Sequence, residues 1–375
     1  MEKRILLSSP TMHEEEQQYI NEAFEKNWIA PLGFNCDEFE KMLGEYTSTK
    51  AKRNKALVLS SCTAAIHMAV KLADVKQGDI VLCSDMTFVA SVNPVLYEGA
   101  TPVFIDSERE TWNMDPKALE KALKKYPNAK AVILVHLYGT PAKMDEIIEI
   151  CDKYNVTLIE DAAEALSATY KGEPCGSFGK YSALSFNGNK IITTSSGGAI
   201  ISNNNDAIKK ALFFSTQAKE PEIWYQHKEI GYNYRMSNIV AGVGRGQMLH
   251  LEEHREIKKK IYNTYKRAFE GLPIKMNPFL SESEPNFWLS CITIDKSSNV
   301  KWQDIYNALN DANIDSRPLW KPMHMQPLFS NNDFITVDDK PVNEDLFSRG
   351  LCLPSDIKMT DEEQQCVIDV VKFCF

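Results

Sequence analysis

The sequence has no surplus of positive charge: 42 Lys and Arg against 51 Asp and Glu leave a formal net charge of -9. That balance excludes nucleic acid as a partner held by general electrostatics, because there is no basic excess to neutralise phosphates. No apolar run approaches the length of a membrane span. The opening MEKRILLSSPTMHEEE has too short an apolar core for a signal peptide. A cytoplasmic protein without a membrane partner is therefore expected. The nine cysteines are odd in number and scattered, with no CxxC and no metal-ligand spacing. They predict reduced, mostly buried thiols and no metal site. Internal repeats and low-complexity linkers are also missing, which argues against a repeat array.

What is present is an ordinary globular composition, 43% hydrophobic and 25% charged. A chain of 375 residues is too long for one ordinary core. We expect a large domain over residues 1–250, including an N-terminal lead, and a smaller one over 251–375.

From Ala56 apolar runs alternate with helical patterns. ALVLSS reads as a strand and Thr63 to Ala73 as a helix; IVLCS follows as a strand and Phe88 to Tyr97 as a helix. PVFID, AVILVHLYG and VTLIED are further strands, with helices from Pro116, capped by Asp115, and from Met144 to Tyr154. Continuous apolar strands separated by helices predict an α/β fold, a mostly parallel sheet covered on both faces. The runs Tyr181 to Phe186 and Gly198 to Ser202 bring the expected strand count to about seven.

In such sheets ligands sit at the carboxyl ends of the strands. ALVL ends in Ser61, Cys62 and Thr63 opening a helix, whose free N–H groups make an anion site; plain N-capping is the alternative. IVLCS delivers Phe88, able to stack on a planar ligand or to pack in a core. VTLI delivers Asp161 and Glu164, and a carboxylate there is costly to bury without a partner. Ser185 ends the run before the turn Asn187-Gly188-Asn189, which presents Lys190. A lysine held among apolar neighbours loses hydration and its pKa falls, as Schiff-base chemistry requires. A phosphate cradle, a stacking ring, a carboxylate and an imine-forming lysine are together what pyridoxal phosphate needs.

EDAAEA, SFNGNKIITTSSGGAI and GYNYRMSN resemble the DegT/DnrJ/EryC1/StrS sugar aminotransferases. The resemblance runs from about Trp28 to the C-terminus. It implies the type I pyridoxal-phosphate fold with a smaller C-terminal α+β domain. It implies that Lys190 bonds to the cofactor aldehyde and then carries protons between the cofactor and the substrate carbon. Asp161 would hold the pyridinium nitrogen, Phe88 would stack on the ring, and Ser61, Cys62, Thr63 and Ser185 would hold the phosphate. Asn233 would reach that phosphate from the other subunit of a homodimer. Glu164 stands where many members carry Gln, near the cofactor's phenolic oxygen. Cys62 replaces the more usual Gly. Members that are dehydratases carry His at the lysine position, so Lys190 favours transamination, with pyridoxamine phosphate as the intermediate cofactor form and L-glutamate as amino donor.

In the last third, Met248 to Glu270 reads as one long charged helix. Gly242, Gly244 and Gly246 fit close helix packing better than a dinucleotide loop. The stretch RPLWKPMH holds Arg317, Trp320 and His324, and EIWYQHKEIGYNYR holds His227 and Arg235. Both look like the subgroup acting on UDP-linked 4-keto-6-deoxy-N-acetylhexosamines, with Arg235 or Arg317 expected on the diphosphate. A dTDP-linked substrate, sugar dehydration, and a non-catalytic regulator binding cofactor or sugar are the alternatives. His136 and His67 are expected to orient a neighbour and to sit satisfied in the core, respectively.

Overall fold

The computed structural model describes residues 4–375. An eight-stranded sheet forms its centre. Seven strands come from the alternating region: β1 Lys55–Leu59, β2 Ile80–Ser84, β3 Thr101–Ile105, β4 Ala131–Val135, β5 Thr157–Asp161, β6 Tyr181–Ser185 and β7 Gly198–Ser202. β4, β6 and β7 are buried along their whole length, and β1, β2, β3 and β5 bury all but the first residue. Burial on both faces is why these strands read as unbroken apolar runs.

The strands lie in the order β1-β7-β6-β5-β4-β2-β3. Only β7 runs against its neighbours β1 and β6; the other adjacent pairs are parallel. The carboxyl ends of β1, β2, β4, β5 and β6 therefore open on one edge. An eighth strand, Phe334–Ile335, joins beyond β3 in parallel register, Phe334 against Phe104. The expected count of seven is thus one short, and the C-terminal part is not wholly separate. A two-residue strand has no periodicity for a sequence to display. The remainder of that part forms a four-stranded antiparallel sheet, Ile274–Met276, Ser290–Ile294, Gly350–Leu353 and Arg317–Pro318. The helices Trp302–Asp311 and Asp361–Phe373 pack with it over a core including Tyr265, Ile292, Leu309 and Val367.

Two expected helices are divided. Phe88 to Tyr97 is a 3-10 turn, Val89–Ser91, followed by a short helix, Asn93–Tyr97. Pro94 lacks an N–H and fits only the first turn of a helix, so a new one starts there. The long helix expected from Met248 is two, Asn238–Leu249 and Leu251–Ala268, parted at His250. Gly244 lies in the first of these, and a Cβ there would come within 2.3 Å of the Phe39 ring. Gly246 meets the Glu16 backbone at 2.7 Å in the same way. Close helix packing is the use of these glycines. No helix among the described residues is long and apolar enough to cross a membrane. All nine cysteines are free thiols, seven of them buried.

Candidate active site

The strand ends converge on a cavity of about 320 Å³. Ser61, Cys62, Thr63, Phe88, Asp161, Glu164, Ser185 and Lys190 all line it. Ser61 caps the helix Cys62–Leu72, its Oγ accepting from Ala64 N–H at 3.1 Å. The N–H groups of Cys62 and Thr63 meet no hydrogen-bond partner among the described residues, so the helix start keeps open donors. A Cβ on Gly198 would stand 2.4 Å from Cys62 N, so the β7 backbone is pressed against this cradle. Burial first, then the charge of Asp161, push the Cys62 thiol well above its usual range, so it stays neutral.

Asp161 ends β5, buried, with Oδ2 accepting from Ser91 Oγ at 2.6 Å and Oδ1 from Ala163 N–H at 3.1 Å. Burial raises its pKa, and the bonds from Ser91 and Ala163 and the charge of Lys190 work against that rise. Glu164 is raised by burial as well, with Lys190 the main opposing influence. Its Oε2 accepts from Tyr138 N–H at 2.7 Å, and its Oε1 lies 3.4 Å from Lys190 Nζ. Lys190 Nζ also sits 3.8 Å from the centre of the Trp288 ring.

A second cavity of about 770 Å³ adjoins the first and shares Thr87, Phe88, Asn189, Trp288 and Trp320 with it. Arg317 and Lys321 line this larger space. Its aromatic wall is layered: Tyr138 stacks on Trp320 at 6.4 Å and 4°, and Phe88 lies 5.4 Å from Trp320. Phe88 is 53% exposed, so its ring belongs to the cavity and not to the core. Trp320 Nε1 is buried without a hydrogen-bond partner among the described residues.

Four candidate residues stand outside both cavities. Arg235 is half-buried, its Nη1 donating to Glu40 Oε1 and to the Val58 carbonyl, each at 2.8 Å. Tied there, it lines neither cavity of its own subunit. His324 Nδ1 bonds Asp85 Oδ2 at 2.7 Å and its ring stacks on Phe334 at 3.9 Å, so it pins the eighth strand. Burial opposes its charge, but Asp85 and Glu344 outweigh burial and raise its pKa. His227 is exposed and bonds the Gln217 carbonyl. Asn233 is exposed and is not brought to the cavity by its own chain.

His136 Nδ1 accepts from Ala142 N–H, which leaves the proton on Nε2 for Glu160 at 2.9 Å. With Cys175 these two form a wholly buried cluster of metal-ligand types. Glu160 already accepts from Gly176, Phe178 and Gly179 N–H and from Ser182 Oγ, so its lone pairs serve the protein. His67, also buried, is held by Glu98 and Tyr234, as expected of a satisfied core residue. Sequence reasoning missed Ser91, Tyr138 and Trp288. Ser91 is a small polar residue in a short turn. Tyr138 adopts φ 54°, a strained value for a buried aromatic that no sequence pattern reveals. Trp288 reaches Lys190 from a hundred residues further along the chain.

The sequence profile of the DegT/DnrJ/EryC1/StrS aminotransferase family matches residues 10–372. EpsN of Bacillus subtilis, provisionally named a pyridoxal phosphate-dependent aminotransferase, is 50% identical, covering 100% of this chain and 97% of its own length. GDP-perosamine synthase of Escherichia coli O157:H7 is 33% identical over 96% of both chains. The UDP-4-amino-4,6-dideoxy-N-acetyl-beta-L-altrosamine transaminase of Campylobacter jejuni is 33% identical, covering 92% of this chain and 91% of its own. Among solved structures, the provisionally assigned sugar aminotransferase Spr1654 of Streptococcus pneumoniae in its PMP form superposes with a TM-score of 0.90 at 26% identity, over 99% and 98% of the two chains. The donor set of the smaller cavity fits the cofactor of such enzymes: open helix N–H groups and hydroxyls for a phosphate, a carboxylate for a ring nitrogen, and a lysine amine for an aldehyde.

Proposed function

The chain belongs to the DegT/DnrJ/EryC1/StrS aminotransferase family, and on that premise we propose that it moves the amino group of L-glutamate to C4 of a UDP-linked 4-keto-6-deoxy-N-acetylhexosamine. The observation that carries the assignment of residues is that Lys190, Asp161 and the open helix start at Cys62 face one cavity. Pyridoxal phosphate, when bound, supplies a carbonyl that can exchange amines and a ring that takes up electrons. Ser61, Cys62, Thr63 and Ser185 bind its phosphate. Asp161 holds its charge against the ring nitrogen, and Ser91 orients that carboxylate. Phe88 covers the ring face. Lys190 holds and moves the proton at Nζ, first from the donor and then to the sugar carbon. Glu164, 3.4 Å from Nζ, would share in the proton balance of that amine.

The larger cavity takes the nucleotide sugar. Trp320 offers a stacking face, and Arg317 and Lys321 offer positive charge for a diphosphate. Asn233 acts across a homodimer, reaching the phosphate of its partner's site. The UDP reading rests on the likeness of RPLWKPMH and of the Campylobacter relative; the perosamine synthases, which share as much identity, make GDP the competing base. Steady-state kinetics with L-glutamate and matched UDP-, GDP- and dTDP-linked 4-keto sugars test this. A kcat/KM about 100-fold higher for the UDP sugar is expected. A preference for GDP or dTDP would overturn the substrate assignment and leave the aminotransferase standing. Arg317→Ala should raise the KM for the sugar about tenfold with cofactor binding unchanged; an unchanged KM would remove Arg317 from the diphosphate.

A further inference from the structure

The carbonyls of the two residues that flank Lys190 are held by donors from outside its loop. The Asn189 carbonyl accepts from Trp288 Nε1 at 2.7 Å and from Ser8 Oγ at 3.0 Å. The Ile191 carbonyl accepts from Nδ1–H of His254 at 2.8 Å. His254 is buried, one face of its helix turned to the loop. A carbonyl only accepts, so the proton of the neutral ring is fixed on Nδ1 and Nε2 is left bare. His13 answers that lone pair: the two Nε2 atoms lie 3.0 Å apart, so His13 donates. His13 in turn stacks on His250 with ring centres 3.6 Å apart and 10° between planes. His250 bonds Glu15 and Glu253.

The chain of contacts thus runs from the N-terminal lead through two imidazoles to the carbonyl of the residue that follows the lysine. The other groups around it are accounted for. Glu16 accepts from His13 N–H and, with the Thr11 carbonyl, from Gln247. Gln247 Oε1 holds Thr193 N–H at 3.1 Å. Lys258, one turn on from His254, is spent on the Trp288 and Ser355 carbonyls. The His13 N–H to Glu16 bond also caps the helix Glu14–Glu25, whereas the bonds of Trp288, Ser8, His254 and Gln247 Oε1 all engage the backbone of residues 189–193.

We propose that His254, oriented by His13, is a positioning residue for Lys190, holding the loop so that Nζ stays aimed into the smaller cavity. The proposal rests on the assignment of Lys190 as the cofactor lysine. With the loop pinned at both carbonyls, Nζ has little freedom to drift, and a drift of about 1 Å at a reacting group costs on the order of 100-fold in rate. Burial lowers the pKa of His254, the Ile191 carbonyl opposing and the His13, Lys258 and His250 charges assisting, which keeps the ring in its neutral, singly donating form at neutral pH.

The test uses the cofactor-loaded enzyme carrying His254→Ala, His254→Asn and His13→Ala, with Lys190→Ala as reference. Asn keeps an N–H near the place of Nδ1 and serves as rescue. Three readouts are taken: deuterium exchange of the amides at 187–192, the pH midpoint of the bound cofactor's absorbance change, and kcat apart from KM. For His254→Ala, exchange at 187–192 should rise about tenfold or more. The absorbance midpoint should move by more than about half a unit. kcat should fall on the order of 100-fold while the KM for the nucleotide sugar changes less than about twofold. His254→Asn should recover most of each, and His13→Ala should show a smaller change of the same kind. A folded His254→Ala with wild-type exchange, midpoint and kcat overturns the proposal. If His254→Ala does not fold, wild-type values for His13→Ala together with failed rescue by Asn overturn it. Should Lys190→Ala keep the cofactor's lysine-bound absorbance, the assignment of Lys190 itself falls. The exchange at 187–192, measured without cofactor, still decides the anchoring.

Discussion

Asp161 shows most plainly how a residue's surroundings decide its use. It ends an apolar strand, and burial opposes its negative charge; the bonds from Ser91 Oγ and Ala163 N–H offset part of that cost, the charges of Lys190 and His136 a smaller part, and its pKa stays raised. A carboxylate left so lightly compensated is suited to a cationic ligand group. Asp161→Asn should retain the fold, since Asn can still accept from Ser91. It should lower kcat on the order of 1000-fold by removing the charge at the ring nitrogen. Unchanged turnover in a stopped-flow assay would show that the nitrogen has another partner.

Glu164 makes a stability prediction with a definite sign. Its folded pKa lies above the ordinary carboxylate value because of burial, so the folded chain binds the proton more readily than the unfolded one. The resulting stability is fully present below the ordinary value near 4.5 and is lost as pH rises through the raised one. Glu164→Gln keeps an acceptor for Tyr138 N–H and cannot ionise. Its melting temperature relative to wild type should therefore climb as pH is taken from 5 to 8, by a few degrees. A constant difference across that range would contradict the burial argument.

At the scale of elements, the strand ends explain why so much of the site was legible. Ser61 to Thr63, Phe88, Asp161, Glu164, Ser185 and Lys190 each follow an apolar run, and parallel topology sends those ends to one edge. Arg235 and His324, which line neither cavity, lie outside the long helices and the sheet strands, where only tertiary contacts decide whether a charge meets a ligand or another side chain. Arg235 found Glu40, some two hundred residues earlier, and His324 found Asp85. Ser91, Tyr138 and Trp288 were missed for the same reason.

The helix Leu251–Ala268 carries another element-scale consequence. Lys258 is buried within it, and burial lowers its pKa from 10.5 to about 8 despite the charge of Asp356. The unfolded chain binds that proton more tightly, so wild-type stability should rise with pH between about 8 and 10.5 from this group. Lys258→Met should remove this rise; urea unfolding of both proteins across the window measures it. A wild-type and variant difference that does not change with pH would show Lys258 to be neutral or solvated throughout. In the neighbouring helix, Gly244→Ala should cost about 1–3 kcal/mol, because the new methyl collides with Phe39.

For the whole molecule, the sheet, the small antiparallel sheet and the N-terminal lead meet around the two cavities. The lead matters more than its length suggests, since Ser8 and His13 both act on the Lys190 loop region. The segment Ile223 to Ile230 is strongly exposed, Ile223 at 98%, and lies in the same irregular stretch that ends in Asn233. A second subunit covering this segment would bring Asn233 to the partner's phosphate site. Mixing Lys190→Ala with Asn233→Ala protein tests the shared site directly. Each mixed dimer regains one intact site, so random exchange should restore about a quarter of wild-type activity. No recovery after subunit exchange would place each site within one chain.

The measurement that tests the central reading most directly is the absorbance spectrum of the purified protein, followed through both halves of the reaction. The lysine-bound cofactor band should bleach when L-glutamate is added and return when a UDP-linked 4-keto-6-deoxy-N-acetylhexosamine follows. Lys190→Ala should lack that band and not turn over. A reconstituted protein that shows no lysine-bound band, or a band untouched by L-glutamate and every other amino donor, would contradict the account.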